Sequence, residues 1–304
     1  MSVFDRFMPA VSAYMQKIRD EGVQRLTAEP LFETFHLRDN VYSFLSKSPG
    51  RGGDAWMHLV IGTEKAMLVD TGFGIGNLKG IVESLTDKPL IVVNTHHHGD
   101  HSLGNFQFEK VYCHEYDVPY LKDQMNPQAQ ERFVPRDGSY YKTSDLVTFK
   151  EYEIVGLPDG YIFDLGGNYK IELFHLPGHA PGGCAFLDKT GRILYSGDAI
   201  VSTPTMITGA SVGKYHGDFM TVTAFRDKLI RLAARKGEFD VLFPGHAILE
   251  FSSQVVSDML TLCNAIIDEP DIVDLIDEGM RGSGNLSKLK IVGLASIAFN
   301  DERI

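Results

Sequence analysis

Ile91-Val92-Val93-Asn94-Thr95-His96-His97-His98-Gly99-Asp100-His101 is the stretch on which the reading of this chain turns. A short apolar run rich in β-branched residues reads as a buried strand. It passes directly into four histidines and an aspartate within six positions. His96 and His98, two apart, can point one way, while the turn at Gly99 swings Asp100 and His101 toward a neighbouring point. Neutral imidazoles and a carboxylate are borderline N/O ligands for a divalent metal. A polar loop at a strand end is the bland alternative, and the ordered His-x-His-x-Asp-His pattern after a strand argues against it. The stretch reads as a metal site.

Strand and helix patterns extend outward from it. Residues 40–45, 56–61 and 66–70 read as strands, 75–85 as a helix and 90–95 as a strand. The last three make a βαβ unit, so part of the sheet is parallel. A further strand is expected at 111–114. Residues 121–150 then lose periodicity, with Pro127, Pro135, Gly138 and the pair Tyr140-Tyr141. A span of this kind is expected to be a lid or binding loop. Strands resume at 161–164, 169–175, 184–187 and 192–196. Residues 199–218 again show no clean period. A helix is expected over 219–234, a strand over 239–243, a helix over 252–268 and a strand-like run over 288–299. The N-terminal residues 1–35 form an extension with apolar residues at helical spacing (Phe4, Phe7, Met8, Val11, Tyr14, Met15, Ile18), the longer helix starting at Pro9. That stripe docks either on its own domain, the default reading, or on a second copy in a homodimer.

Four motifs together carry a resemblance to a known family. They are Thr95–His101, His179 in Leu176-Pro177-Gly178-His179, Asp198 in Tyr195-Ser196-Gly197-Asp198, and His246 in Phe243-Pro244-Gly245-His246. In ligand type, order and strand-then-loop context they resemble the metallo-β-lactamase-fold superfamily, over roughly residues 40–250. The resemblance implies an α/β (α+β) fold, a four-layer αββα sandwich of two mixed β-sheets flanked by helices. It also implies a dinuclear metal centre. His96, His98 and His179 would hold one ion, Asp100, His101 and His246 the other, with Asp198 bridging. Two zinc ions per chain are the expected cofactors, with iron or manganese as alternatives. A hydroxide shared by the two ions would be the nucleophile, Asp100 would orient it, and Asp100 and Asp198 are the expected catalytic residues. An aspartate matching Asp70 lies behind the ligands in the family. Physically, a carboxylate there would fix a histidine tautomer, and a helix N-cap is the competing role. His97 should face away from its neighbours and be structural.

Substrate is read more coarsely. Asp198 speaks against a true β-lactamase, and His98, where diiron relatives carry glutamate, favours zinc-type hydrolysis. Thr95–His101 and Lys214-Tyr215 resemble glyoxalase II, although the tail lacks a clear basic glutathione-binding patch. The leading expectation is a hydrolase of a small-molecule ester, lactone or thioester. The alternatives are a phosphodiesterase or nuclease on the same metals, and an iron-dependent oxidoreductase or sulfur dioxygenase. Tyr140, Tyr141, Met206, Lys214, Tyr215 and His216, on the two irregular segments, are the candidate substrate contacts.

Bulk properties bound the answer. The ligands run from 96 to 246 of 304 residues, so the whole chain, 1–304, reads as a single domain. A net charge of −11 argues against a nucleic-acid partner, because phosphate-backbone binding needs a basic surface. Three cysteines, odd in number and far apart, suggest reduced thiols in a cytoplasmic protein. No run has the length of a membrane span.

Overall fold

A computed structural model describes the chain apart from residues 1–2, 22–30, 50–52, 137, 209–213 and 278–286. Parts of the 1–35 extension and of the 199–218 segment therefore lie outside the described residues. Contacts divide the chain into two compact units, one of residues 18–172 and one of residues 1–17 with 173–304.

After helix α1 (Met8–Asp20), the 18–172 unit begins with β1 (Phe32–Arg38), which starts inside the expected extension. It continues through β2 (Val41–Ser46), β3 (Ala55–Ile61) and β4 (Ala66–Val69), then α2 (Leu78–Leu85) and β5 (Leu90–Val93). The single turn α3 (Gly99–Ser102) follows, with β6 (Lys110–His114), α4 (Val118–Gln124) and β7 (Glu153–Leu157). These strands form one sheet in the order β1-β2-β3-β4-β5-β6-β7. The pairs from β1 to β4 are antiparallel, and those from β4 to β7 are parallel. The βαβ unit is present as expected. Asn77 caps α2 by accepting from Gly80 N at 3.0 Å, and Leu78, Ile81 and Val82 of that helix pack against Leu68, Val92 and Val111. Residues 121–150 are less irregular than expected, because α4 is followed by 3-10 turns at Pro127–Phe133 and Thr143–Asp145. Short turns of this kind carry too few residues to show a helical period.

The 173–304 unit continues from β8 (Ile162–Asp164), the antiparallel partner of β9 (Lys170–His175). Next come β10 (Cys184–Asp188), β11 (Ile193–Gly197), β12 (Thr205–Ile207), α5 (Val222–Ala233), β13 (Val241–Pro244), β14 (Phe251–Ser252) and α6 (Gln254–Asp268). A second sheet runs β14-β13-β11-β10-β9-β8. It is mixed: β11 and β13 are parallel, while β10–β11 and β13–β14 are antiparallel. Helix α5 is N-capped by Thr221, whose hydroxyl accepts from Ala224 N at 3.0 Å. It buries Val222, Phe225, Leu229 and Leu232 in the same core as Val255, Met259 and Leu262 of α6.

Beyond the expected pair of sheets there is a third. The strands β15 (Leu275–Asp277), β16 (Ser287–Val292) and β17 (Ala295–Phe299) join β12 in the order β12-β17-β16-β15. The run read as one strand over 288–299 is instead a hairpin. Gly293, at φ 56°, takes the left-handed backbone of a tight turn, which glycine adopts without a Cβ penalty. Phe7 packs on this sheet beside Leu289 and Ala298, so the start of the N-terminal stripe docks on its own chain. Mixed sheets with helices are the expected α/β class. No described helix is long and apolar enough to cross a membrane.

Candidate metal centre

The two units each assemble a set of metal-type donors, by the same backbone device. Parallel strands deliver their following loops to the same end of the sheet, where ligand sites of α/β proteins lie.

In the 18–172 unit, β4 and β5 pair in parallel with Val69 opposite Val93. Asp70 therefore leaves its strand beside the residues that lead to His96. Asp70 has φ 63°, an uncommon conformation for a non-glycine residue, and is 2% exposed. That turn aims its carboxylate under the loop. Oδ1 accepts from Thr95 N at 2.7 Å, and Oδ2 accepts from Thr95 Oγ1 at 2.8 Å and from His101 Nδ1 at 2.9 Å. With its proton donated to Asp70, the Thr95 hydroxyl has a lone pair for His96 Nδ1 at 3.1 Å. Both buried imidazoles thus place their proton on Nδ1 and keep Nε2 as the donor atom. His96 ring centroids lie 4.6 Å from His98 and 4.2 Å from His101. Asp100 Oδ2 is 4.0 Å from His101 Nε2.

The loop is held from behind by polar groups. The His101 carbonyl accepts from Thr71 N at 2.8 Å, Thr71 Oγ1 at 3.2 Å and Asn94 Nδ2 at 3.0 Å. Asn105 and Asn94 exchange amide bonds beneath it. Gly104 is needed here, since a Cβ would lie 2.1 Å from Thr71 O. His97 faces the other way, as expected: its Nδ1 lies 3.2 Å from Asp117 Oδ2 and its ring stacks on Tyr120 at 4.1 Å.

In the 173–304 unit the donors come from three separate strand ends. Gly178, at φ 114°, sits with its Cα facing Phe225 closely enough that a Cβ would be 2.9 Å from that side chain. It introduces His179, whose Nδ1 donates to Met206 O at 2.8 Å. Asp198 follows β11 and His246 follows β13, and these strands are parallel with Gly197 opposite Pro244. Gly245 N donates to Gly197 O at 2.9 Å, tying the two loops together. Asp198 Oδ2 consequently lies 3.5 Å from His179 Nε2 and 3.4 Å from His246 Nε2. Imidazole lone pairs and a carboxylate crowded at such distances repel one another unless a cation is shared among them. The donor sets fit a divalent metal.

The substrate candidates fall in different settings. Tyr141 is 6% exposed, packs with Phe73 and Ile75, and donates its hydroxyl to Phe133 O; it is built into the core. Tyr140 is exposed, bonds its hydroxyl to the Lys47 carbonyl and lies beneath the Lys47 ammonium at 5.2 Å. Met206 packs its side chain against the cluster of Leu289 and Ala298 and contributes its carbonyl to His179. Lys214 stands 4.8 Å over the Tyr215 ring, and His216, at φ 51°, begins the 3-10 turn Gly217–Phe219. Sequence reasoning missed Thr95 as the link between Asp70 and His96. It also missed the Met206 carbonyl, since a main-chain acceptor has no side-chain signature.

Comparison with known proteins identifies the family and the fold. The profile of the Metallo-beta-lactamase superfamily matches residues 50–246. Acyl-coenzyme A thioesterase MBLAC2 of Homo sapiens is 26% identical over 229 residues, covering 69% of this chain and 79% of that protein. Hydroxyacylglutathione hydrolase GloC of Haemophilus influenzae is 26% identical over 179 residues, covering 56% and 76%. A metallo-beta-lactamase family protein from Thermus thermophilus superposes with a TM-score of 0.54 at 21% identity, covering 80% of this chain and 85% of that one. A beta-lactamase domain protein from Burkholderia ambifaria superposes with a TM-score of 0.56 at 19% identity, covering 80% and 81%. The chain belongs to the metallo-beta-lactamase superfamily and is a hydrolase of that fold.

Proposed function

We propose that this hydrolase cleaves thioesters of small molecules at a dinuclear zinc centre. The anchoring of Nδ1 on His96, His101 and His179 carries the metal reading, because it leaves each Nε2 free of its proton. In the ligand order of the superfamily, His96, His98 and His179 hold one ion. Asp100, His101 and His246 hold the other, and Asp198 serves both. Ions bound there supply Lewis acidity and lower the pKa of coordinated water to about 7.

The chain's own residues do the rest. Asp70 holds the tautomers of His96 and His101, the latter directly and the former through Thr95. Asp100 accepts a hydrogen bond from the attacking water and orients it. Lys214, Tyr215 and His216 are the candidates for substrate contact or acid catalysis. No thiol nucleophile is called for: burial pushes the Cys113 and Cys263 thiols up, so they stay protonated, and Cys184 is buried as well. The three buried cysteines, far apart in sequence and odd in number, also support a cytoplasmic setting. The narrowing from acyl substrates to thioesters rests on the two relatives, both named for thioester hydrolysis.

Initial rates on an acyl-coenzyme A, a glutathione thioester, a lactone, a β-lactam and an aryl phosphodiester, before and after chelation, test this. Chelator-sensitive turnover highest on a thioester is expected. A rate confined to the phosphodiester, or one that chelation leaves intact, would overturn it.

A further inference from the structure

The third sheet lies largely outside residues 50–246, the part of the chain that matches the superfamily profile. Only β12 falls within that span. β12 is three residues long and pairs in parallel with β17, with Met206 opposite Ala298. A strand this short has little hold of its own on a main-chain position. Ile207 anchors one side of it in the α5–α6 core and Thr205 Oγ1 donates to Ala199 O at 3.2 Å; its strand partner is β17, which in turn pairs with β16 over five residue pairs. On this sheet Leu289 and Ala298, both fully buried, pack with Met206, Leu275, Ile291 and Phe7. The Met206 carbonyl then takes the His179 Nδ1 proton at 2.8 Å.

We propose that the third sheet, with Phe7 packed on it, is a positioning device for His179. It fixes the main-chain acceptor of His179 Nδ1, and with it which imidazole nitrogen carries the proton and where the ring points. Met206 is accordingly a positioning residue that acts through its carbonyl. The inference rests on the reading of His179 as a metal ligand, although its first test needs no metal. Loosening the sheet should free the Met206 carbonyl to move, mix the two tautomers of His179 and weaken metal binding. Supporting acceptors of this kind are worth about 10–100-fold in metal affinity.

The experiment compares Leu289→Ala, Phe7→Ala and a control, Ile81→Ala, which opens a cavity in a core that holds no residue of the third sheet. Imidazole 15N shifts of His179 are read on the metal-free protein, and zinc affinity is measured on the same samples. Leu289→Ala is expected to show mixed tautomers and about tenfold weaker zinc binding. Phe7→Ala should move the same way by less, and it serves if Leu289→Ala does not fold. Ile81→Ala should lose stability while keeping the wild-type tautomer and affinity. If all three variants keep the Nδ1–H tautomer and wild-type affinity, the proposal is overturned. Should the wild type bind no zinc, the metal reading fails, and the tautomer comparison still decides the role of the sheet.

Discussion

The donors of the 18–172 unit are local and those of the 173–304 unit are dispersed, and the two are supported differently. His96, His98, Asp100 and His101 lie on one loop after one strand, with a single buried carboxylate beneath them. Asp70 accepts three hydrogen bonds there, from Thr95 N, Thr95 Oγ1 and His101 Nδ1. His179, Asp198 and His246 come from three loops spread over 68 positions of sequence (179 to 246). Bonds to main-chain carbonyls tie these loops, from Gly245 N to Gly197 O and from His179 Nδ1 to Met206 O. A side-chain hub can be removed by one substitution, whereas a main-chain frame yields only when the strands that carry it move.

Substitutions can break this contrast. Asp198→Ala removes a donor itself and should have the largest effect, losing the second ion and more turnover than the about 100-fold at stake in a supporting residue. Metal content and initial rate read it directly. Asp70→Ala removes the hub of the local set and should weaken metal affinity by about 10–100-fold. A competitive chelator titration measures this, and an unchanged affinity would show that the loop holds its imidazoles without the carboxylate. Thr95→Val keeps the shape but deletes the hydroxyl between Asp70 and His96. About tenfold weaker binding is expected, with about 1 kcal/mol lost in stability by urea denaturation.

The smallest effect belongs to the scaffold. The Arg235 hydrogen bond, with Lys189 alongside, holds the Glu238 carboxyl down to about 2. A carboxylate depressed on folding contributes fully above its ordinary value of 4.5, and the contribution is lost as pH falls toward 2. Glu238→Gln should therefore cost about 0.5 kcal/mol at neutral pH and nothing near pH 2, with metal binding unchanged. A parallel loss of metal would mean that this surface pair reaches the donor loops.

The same contrast explains what could be read from sequence. The local set announces itself, since four ligand-type residues within six positions leave little other explanation. The βαβ unit from β4 to β5 was legible for the same reason: an apolar helix period lies between two apolar runs. The dispersed donors were single histidines and one aspartate after Gly or Pro-Gly, and only resemblance to a family gathered them. Asp70 offered two roles on paper, and the structure separates them, because Asn77 makes the α2 cap instead. Three features had no legible signal. A three-residue strand such as β12 shows no period. The Gly293 turn divides a continuous apolar run without a charged or proline break. Tyr141 looked like a loop aromatic, yet the turns around it enclose it in a core.

The central claim is that the two sets of donors serve one catalytic centre. Turnover of an acyl thioester, followed as metal-free protein is titrated with zinc and with bound metal counted at each step, tests it most directly. Activity should rise with zinc until about two ions are bound per chain, the number a two-metal site needs, and Asp198→Ala should never reach it. Full turnover in protein stripped of metal, or in Asp198→Ala, would contradict the account.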